Sequence, residues 1–412
     1  MQKPPGHNLD VTGSLHQQEI STFNFDRIIN RRGTGALKYD SAVRRGYPAE
    51  VLPFWVADMD FPAAPAILEA LRSRVNHGIF GYTEPQESYY QAVQDWWKTY
   101  HHYKVKKEWI LESPGIVFSL SIAIRAFTRP GDSILVQTPV YYPFFSAILL
   151  NDRKLVSSPL TYINKEYTIN FETFEETIKA HKVKMFILCN PHNPVGRVWT
   201  PLELQRLGQI CRRNGVVVVA DEVHCDFVSP GFKHQVFAGL DPKLEQITVT
   251  LAAPSKTFNL AGLQFSHVFI ANEEMRKAWL EQKAATGYDE PNVMGITACR
   301  AAYEKGRPWL DSLLKYINDN DAFVQTFIKQ YLHGIHVVRR QGTYLLWLDC
   351  WGTGFTPEEI NRRLVERGKL WLYEGSKFGP EGEGFQRLNL ACPRETLSDA
   401  MIRLAAALGV IR

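Results

Sequence analysis

From about residue 110 the chain alternates short apolar runs with amphipathic stretches. Strands are predicted at 133–137, 184–189, 216–221, 247–251 and 267–271. Continuous apolar runs of this length mark strands buried on both faces, as in a mostly parallel sheet. Between two of them, Thr200-Pro201-Leu202-Glu203 is a capping box with proline at the first helical position, and Gly215 closes that helix. Upstream, helical spacing runs from Pro65 to His77 and stops at Gly78, a C-cap glycine. Glu87 to Tyr100 is a second helix whose aromatic stripe reads as packing. Residues 23–62 read as an extended arm, broken by Gly33, Gly35, Gly46, Pro48 and Pro53. From Arg307 the pattern becomes a long helix, then strands at 335–339 and 344–349, then helices. The expected class is α/β: a large domain at 63–306 with a doubly wound, mostly parallel sheet, and a smaller α+β domain at 307–412. Residues 1–22 are expected to be a mobile tail.

Composition narrows the function. At 412 residues the chain exceeds what one hydrophobic core usually serves, in keeping with two domains. With 45% apolar and 22% charged residues it is ordinarily globular. A net charge of +4, without a basic block interleaved with aromatics, excludes nucleic acid as an expected partner. The six cysteines are scattered without Cys-x-x-Cys spacing, which points to reduced thiols and neither a disulfide scaffold nor a metal site. Cys189 and Cys225 lie near the polar ends of two predicted strands but read as structural thiols. The N-terminus lacks an apolar export core, and no stretch reaches the roughly 18 apolar residues of a membrane span. A cytoplasmic location, away from membranes, is expected.

Candidate chemistry collects at the ends of three predicted strands. The run 184–189 opens onto Asn190-Pro191-His192-Asn193-Pro194-Val195-Gly196, the run 216–220 ends in Asp221, and the run 247–251 leads to Ala253-Pro254-Ser255-Lys256-Thr257. Ligands of open α/β sheets bind at the carboxyl ends of the strands. Lys256 is expected where its strand ends and a loop begins. A partly desolvated lysine has a lowered pKa and attacks aldehydes, although a lysine ending a strand is commonly just a solvated charge. Asp221 can likewise be a simple turn cap. Together, amine, carboxylate and amide are what a pyridoxal 5'-phosphate (PLP) site requires: a Schiff-base lysine, an acid facing the pyridinium nitrogen and a donor to the phenolate oxygen.

This order and spacing resembles the fold-type I PLP-dependent enzymes of the aminotransferase class I/II family. The runs Leu52-Pro53-Phe54-Trp55-Val56-Ala57-Asp58-Met59-Asp60-Phe61, Gly78-Ile79-Phe80-Gly81-Tyr82-Thr83, Ser255-Lys256-Thr257-Phe258-Asn259-Leu260-Ala261-Gly262-Leu263 and Arg387-Leu388-Asn389-Leu390-Ala391-Cys392-Pro393-Arg394 resemble its cystathionine β-lyase (MalY/PatB-type C–S lyase) subgroup. The resemblance implies the PLP-dependent transferase fold of type I, with the arm packing on the small domain. It implies that Lys256, with Ser255 beside it, binds the cofactor, and that the N–H groups of Gly115, Ile116 and Val117 hold its phosphate. Tyr141 would stack on the ring, Tyr142 being the alternative if the register slips. His224 stands where many relatives place a tyrosine, and Tyr82 matches a residue lent to the neighbouring subunit, which implies a homodimer with shared sites. Arg387, assisted by the backbone around Ala57, would take the substrate carboxylate. Two positions depart from the pattern: Ala253, where many relatives have Ser or Thr, and Gln264, where many aminotransferases have Arg.

The implied reaction is β-elimination from L-cystathionine or a related cysteine S-conjugate, yielding a thiol, pyruvate and ammonia. Transamination shares the same residues. A regulatory role through partner binding belongs to a different class, with no helix-turn-helix extension to support direct DNA binding.

Overall fold

The computed structural model describes residues 23–409. The expected tail at 1–22 lies outside the described residues. Seven strands form the central sheet: β1 (Ile110–Ser113), β2 (Ser133–Val136), β3 (Lys154–Ser157), β4 (Met185–Cys189), β5 (Val217–Asp221), β6 (Thr248–Ala252) and β7 (Ser266–Phe269). Their order is β1-β7-β6-β5-β4-β2-β3. Strands β2 to β6 are mutually parallel, while β7 is antiparallel to both neighbours. An apolar run carries no direction, so the reversal of β7 was invisible in the pattern.

The helices follow their sequence signals. Those at α1 (Pro65–His77) and α2 (Glu87–Tyr100) have the expected bounds, and Gly78 is the left-handed C-cap of α1. Next come α3 (Ile116–Phe127) and α4 (Pro201–Arg213). The α4 capping box is present: Thr200 Oγ1 accepts from Glu203 N at 3.2 Å, and Glu203 Oε2 accepts from Thr200 N at 2.8 Å. After β6 the chain forms α5 (Pro254–Thr257), one turn of helix, so Lys256 sits on a helical turn and not in the expected loop. Proline at the first position of α5 favours that turn.

Beyond the long α6 (Arg307–Tyr331), a second, antiparallel sheet joins β8 (His336–Val337), β9 (Leu345–Asp349), β10 (Tyr373–Glu374) and β11 (Phe385–Asn389) in the order β8-β9-β11-β10. β8 is shorter than the expected 335–339. Its ladder gives way as Arg340 turns inward to pair with Asp321 of α6 at 2.7 Å.

The arm crosses between the two sheets. Leu52 and Pro53 pair in parallel with Leu370 and Trp371, and Trp55 stacks on Trp371 with ring centroids 4.6 Å apart. Asn389 Nδ2 donates to the carbonyls of Val56 (2.8 Å) and Asp58 (2.7 Å). From the other side, Asn259 Nδ2 donates to the carbonyls of Met59 (3.0 Å) and Phe61 (2.9 Å), while its Oδ1 accepts from Met59 N at 3.1 Å. Two cations close the arm on itself: Arg31 reaches Asp58 at 2.6 Å and Asp60 at 2.9 Å, and Lys38 reaches Asp60 at 2.7 Å. Lys38 is 1% exposed, and Asp60 is the carboxylate that compensates it inside the protein. Removing one partner of a buried pair leaves an uncompensated charge and costs about 3–5 kcal/mol. Asp60→Ala is therefore expected to lower stability by about that amount, read as a lower urea midpoint at unchanged m-value; an unchanged midpoint would show that the pair is not a structural clamp.

Candidate active site

Parallel register aligns Cys189 with Asp221 and Asp221 with Leu251, so β4, β5 and β6 deliver their following residues to one edge. There, beside the point where strand order reverses around β2, lies a cavity of about 450 Å³. Its wall brings together Lys256, Ser255, Asp221, His224, Asn193 and Tyr141, with Gly115, Ile116 and Val117 at the start of α3 and Ala57 from the arm. Tyr141 lines the cavity, whereas Tyr142 packs away from it, stacked on Tyr373 at 5.4 Å. Of the two, Tyr141 is thus the one that faces the cavity.

Lys256 Nζ donates to the carbonyl of Ala57 at 2.7 Å, and the buried Tyr344 hydroxyl donates to the same oxygen at 3.0 Å. Burial lowers the Lys256 pKa to about 8, with Asp58 and Asp221 pulling upward and Arg387 pushing further down. Asp221 moves oppositely. Burial raises its pKa to about 7, against the downward pull of the Val223 N–H and of Lys256. The carboxylate accepts from Val223 N at 3.2 Å. A cationic ring nitrogen placed against Asp221 would favour its ionised form again.

His224 is held well below its ordinary pKa, first by burial and then by Lys256 and Arg387, so it is an uncharged imidazole at neutral pH; its Nδ1 has no partner. Arg387 stands on β11 behind the cavity wall and reaches it through Asn193: Nη1 donates to Asn193 Oδ1 at 2.9 Å and Nη2 to the carbonyl of Trp55 at 2.7 Å. Because Asn193 Oδ1 accepts from Arg387, its Nδ2 amide hydrogens are the ones free to donate. The Nε of Arg387 is buried without a partner, a donor kept in reserve for a further acceptor.

The first turn of α3 has Gly115 as its N-cap, with no side-chain cap for its N–H groups. A Cβ at Gly115 would meet no protein atom within 4 Å. Uncapped N–H groups and the positive end of the helix dipole suit a phosphate. Of the two departures, Gln264 lines the cavity, while Ala253 is buried and outside its wall. Tyr82 is 95% exposed and lines a neighbouring groove that shares Pro114 and Gln264 with the cavity. Tyr344, Asn259 and Asn389 carried no assigned role in the sequence. The two asparagines lie inside the lysine and arginine motifs, whereas Tyr344 began an expected strand and nothing local marked it.

An amine, an opposed carboxylate, an amide donor, an aromatic face and an anion-binding helix end fit PLP residue by residue. The lowered pKa of Lys256 has a direct consequence, since it is protonated below about pH 8 and neutral above. Addition of PLP to cofactor-free protein, followed by absorbance and corrected with Lys256→Ala, is expected to accelerate with pH around a midpoint near 8. An ordinary lysine would place that midpoint near 10.4.

Comparison with known proteins agrees with this geometry. The profile of the family "Aminotransferase class I and II" matches residues 49–404. The chain is 43% identical to cystathionine beta-lyase PatB of Bacillus subtilis (strain 168), over 93% of this chain and 100% of that protein. The crystal structure of cystalysin from Treponema denticola, which contains a pyridoxal 5'-phosphate cofactor, superposes with a TM-score of 0.91 at 35% identity, covering 94% of this chain and 98% of that one. The PLP-bound C–S lyase from Staphylococcus hominis superposes with a TM-score of 0.88 at 33% identity, covering 94% and 98%. With its fold and nearly its whole length in common with these proteins, the chain belongs to the aminotransferase class I and II family.

Proposed function

We propose that the protein is a PLP-dependent carbon–sulfur β-lyase acting on L-cystathionine or related cysteine S-conjugates. The observation that carries the choice is end-to-end likeness to a cystathionine β-lyase, in a chain whose cavity retains an amine of lowered pKa. Transamination needs the same side chains, so it is the alternative that the experiment must separate. Among the described residues no helix is long and apolar enough to cross a membrane.

Bound PLP supplies an electron sink for the charge left at the substrate Cα when its proton departs. Lys256 would both hold the cofactor and serve as the base that takes the substrate's Cα proton onto Nζ. Its lowered pKa suits both tasks near neutral pH. Asp221 would stabilise a protonated ring nitrogen, Asn193 Nδ2 and the uncharged His224 would serve the phenolate oxygen, and Tyr141 would offer an aromatic face to the ring. Arg387 takes the α-carboxylate, its unpartnered Nε being the donor in reserve, and so sets which substrate bond faces Lys256. Loss of the Cα proton and of the Cβ thiolate, with one water consumed, gives thiol, pyruvate and ammonium in balance.

We also infer a homodimer. Tyr82 is exposed beside exposed Ile79 and Phe80, at a groove adjoining the cavity, where a second copy would bury them. If Tyr82 serves the partner's phosphate, Tyr82→Phe should weaken PLP binding about tenfold or more, the worth of one hydrogen bond to a charged group, without dissociating the dimer. An unchanged dissociation constant would remove Tyr82 from the site.

The activity test is incubation with L-cystathionine without any 2-oxo acid. Equal release of thiol and pyruvate, abolished in Lys256→Ala and reduced at least about a hundredfold in Arg387→Ala, is expected for a lyase with a bidentate carboxylate clamp. Turnover that requires an added 2-oxo acid and releases no thiol would establish the aminotransferase instead.

A further inference from the structure

Asp226 closes the turn that begins at Asp221, yet it is absent from the cavity wall. Its Oδ2 accepts from Thr257 Oγ1 at 2.6 Å, and its Oδ1 lies 2.9 Å from Nε2 of His101. His101 is the C-cap of α2, its N–H bonded to the carbonyl of Trp97 and its ring packed on that indole at 4.7 Å between centroids. All three side chains are almost inaccessible: 5% for His101, 4% for Asp226 and 0% for Thr257. A buried chain of hydrogen bonds therefore runs from the end of α2, through the turn after β5, to the residue next to Lys256. Burial pushes the Asp226 carboxyl up, but the charge and hydrogen bond of His101, with the hydroxyl of Thr257, leave it below its ordinary value. The acceptor is thus anionic, which strengthens both bonds.

Cys225 Sγ also lies 3.6 Å from His101 Nε2, and the three residues bring potential metal ligands within 4.8 Å of one another. Here, however, the imidazole Nε2 and both carboxylate oxygens are already engaged at hydrogen-bond distance. The trio is a completed chain.

The need for such a chain lies in α5. This four-residue helix has Ala253 as its N-cap, which offers no side-chain cap. Its orientation is set by two residues on the C-terminal side of Lys256: Thr257, bonded to Asp226, and Asn259, bonded to the arm. The turn holding Asp226 also carries Asp221 and His224 to the cavity, so Asp226 joins the acid-bearing turn to the lysine-bearing one across adjacent strands.

We propose that Asp226, bridging His101 and Thr257, is a positioning residue that fixes where Lys256 stands relative to Asp221, in place of the cap missing at Ala253. The proposal rests on Lys256 being the reactive amine. Thr257→Val, Thr257→Ser and Asp226→Asn are compared with wild type for kcat and KM of thiol release, for the rate at which cofactor-free protein captures PLP, and for melting temperature. In Thr257→Val, kcat and capture rate are each expected to fall roughly tenfold with KM within about twofold, as for a misplaced reacting group in an intact site. Melting should stay cooperative and within about 4 °C of wild type. Thr257→Ser, which restores the hydroxyl, should recover both rates, and Asp226→Asn should resemble Thr257→Val. Wild-type rates in Thr257→Val overturn the proposal, as do losses that Thr257→Ser fails to recover. If Asp226→Asn does not fold, the Thr257 pair decides alone. Failure of the lyase reading looks different: wild type would release no thiol, while PLP capture would still separate Thr257→Val from Thr257→Ser.

Discussion

The hydrogen bond from Lys256 Nζ to the carbonyl of Ala57 is the contact on which the rest of the site depends. It is a charged amine's bond to a neutral oxygen, inside a cavity that disfavours charge. Asp58 and Asp221 draw the amine towards its charged form without touching it, and burial outweighs them. The amine is consequently held near the boundary between its two protonation states. A contact ion pair in its place would have stabilised the cation and silenced the nucleophile.

Keeping that carbonyl in place requires a rigid arm, and the molecule secures the arm from several sides. Asn389 on β11 and Asn259 after α5 each bind two of its carbonyls, so the segment bridges the central and C-terminal sheets. Arg31 and Lys38 tie down its acids. Tyr344 completes the coordination of the Ala57 oxygen from β9's leading edge. Arg387 links the same pieces, binding Asn193 beyond β4 and the carbonyl of Trp55 in the arm. Movement of the C-terminal sheet would therefore be felt at both Arg387 and Lys256.

Much of this was legible in the residues. Strands β4 and β5 declared themselves as unbroken apolar runs because both faces of a parallel sheet are covered, β6 as apolar residues interleaved with threonine, α1 and α4 by their caps, and α2 by its aromatic stripe. Asn193, Asp221 and Lys256 were legible because each follows such a run directly. What escaped was long-range or directional. The antiparallel course of β7 has no signature in hydrophobicity. The helical turn at Lys256 was hidden by its brevity. Tyr344 and the His101–Asp226–Thr257 chain join segments far apart in sequence, and no local spacing brings them together. The residues departing from the common pattern, Ala253 and Gln264, have different contexts: one leaves a helical turn uncapped, the other faces the cavity.

Lys256, between Asp221 on β5 and the uncapped start of α3, is the amine that would leave the Ala57 carbonyl for the cofactor. A crystal structure of the protein with PLP tests it most directly. Continuous density is expected from Lys256 Nζ to the cofactor, with the ring nitrogen at Asp221 and the phosphate on the N–H groups of Gly115 to Val117. Cofactor bound elsewhere, or Lys256 still hydrogen-bonded to Ala57 beside an unattached cofactor, would contradict it.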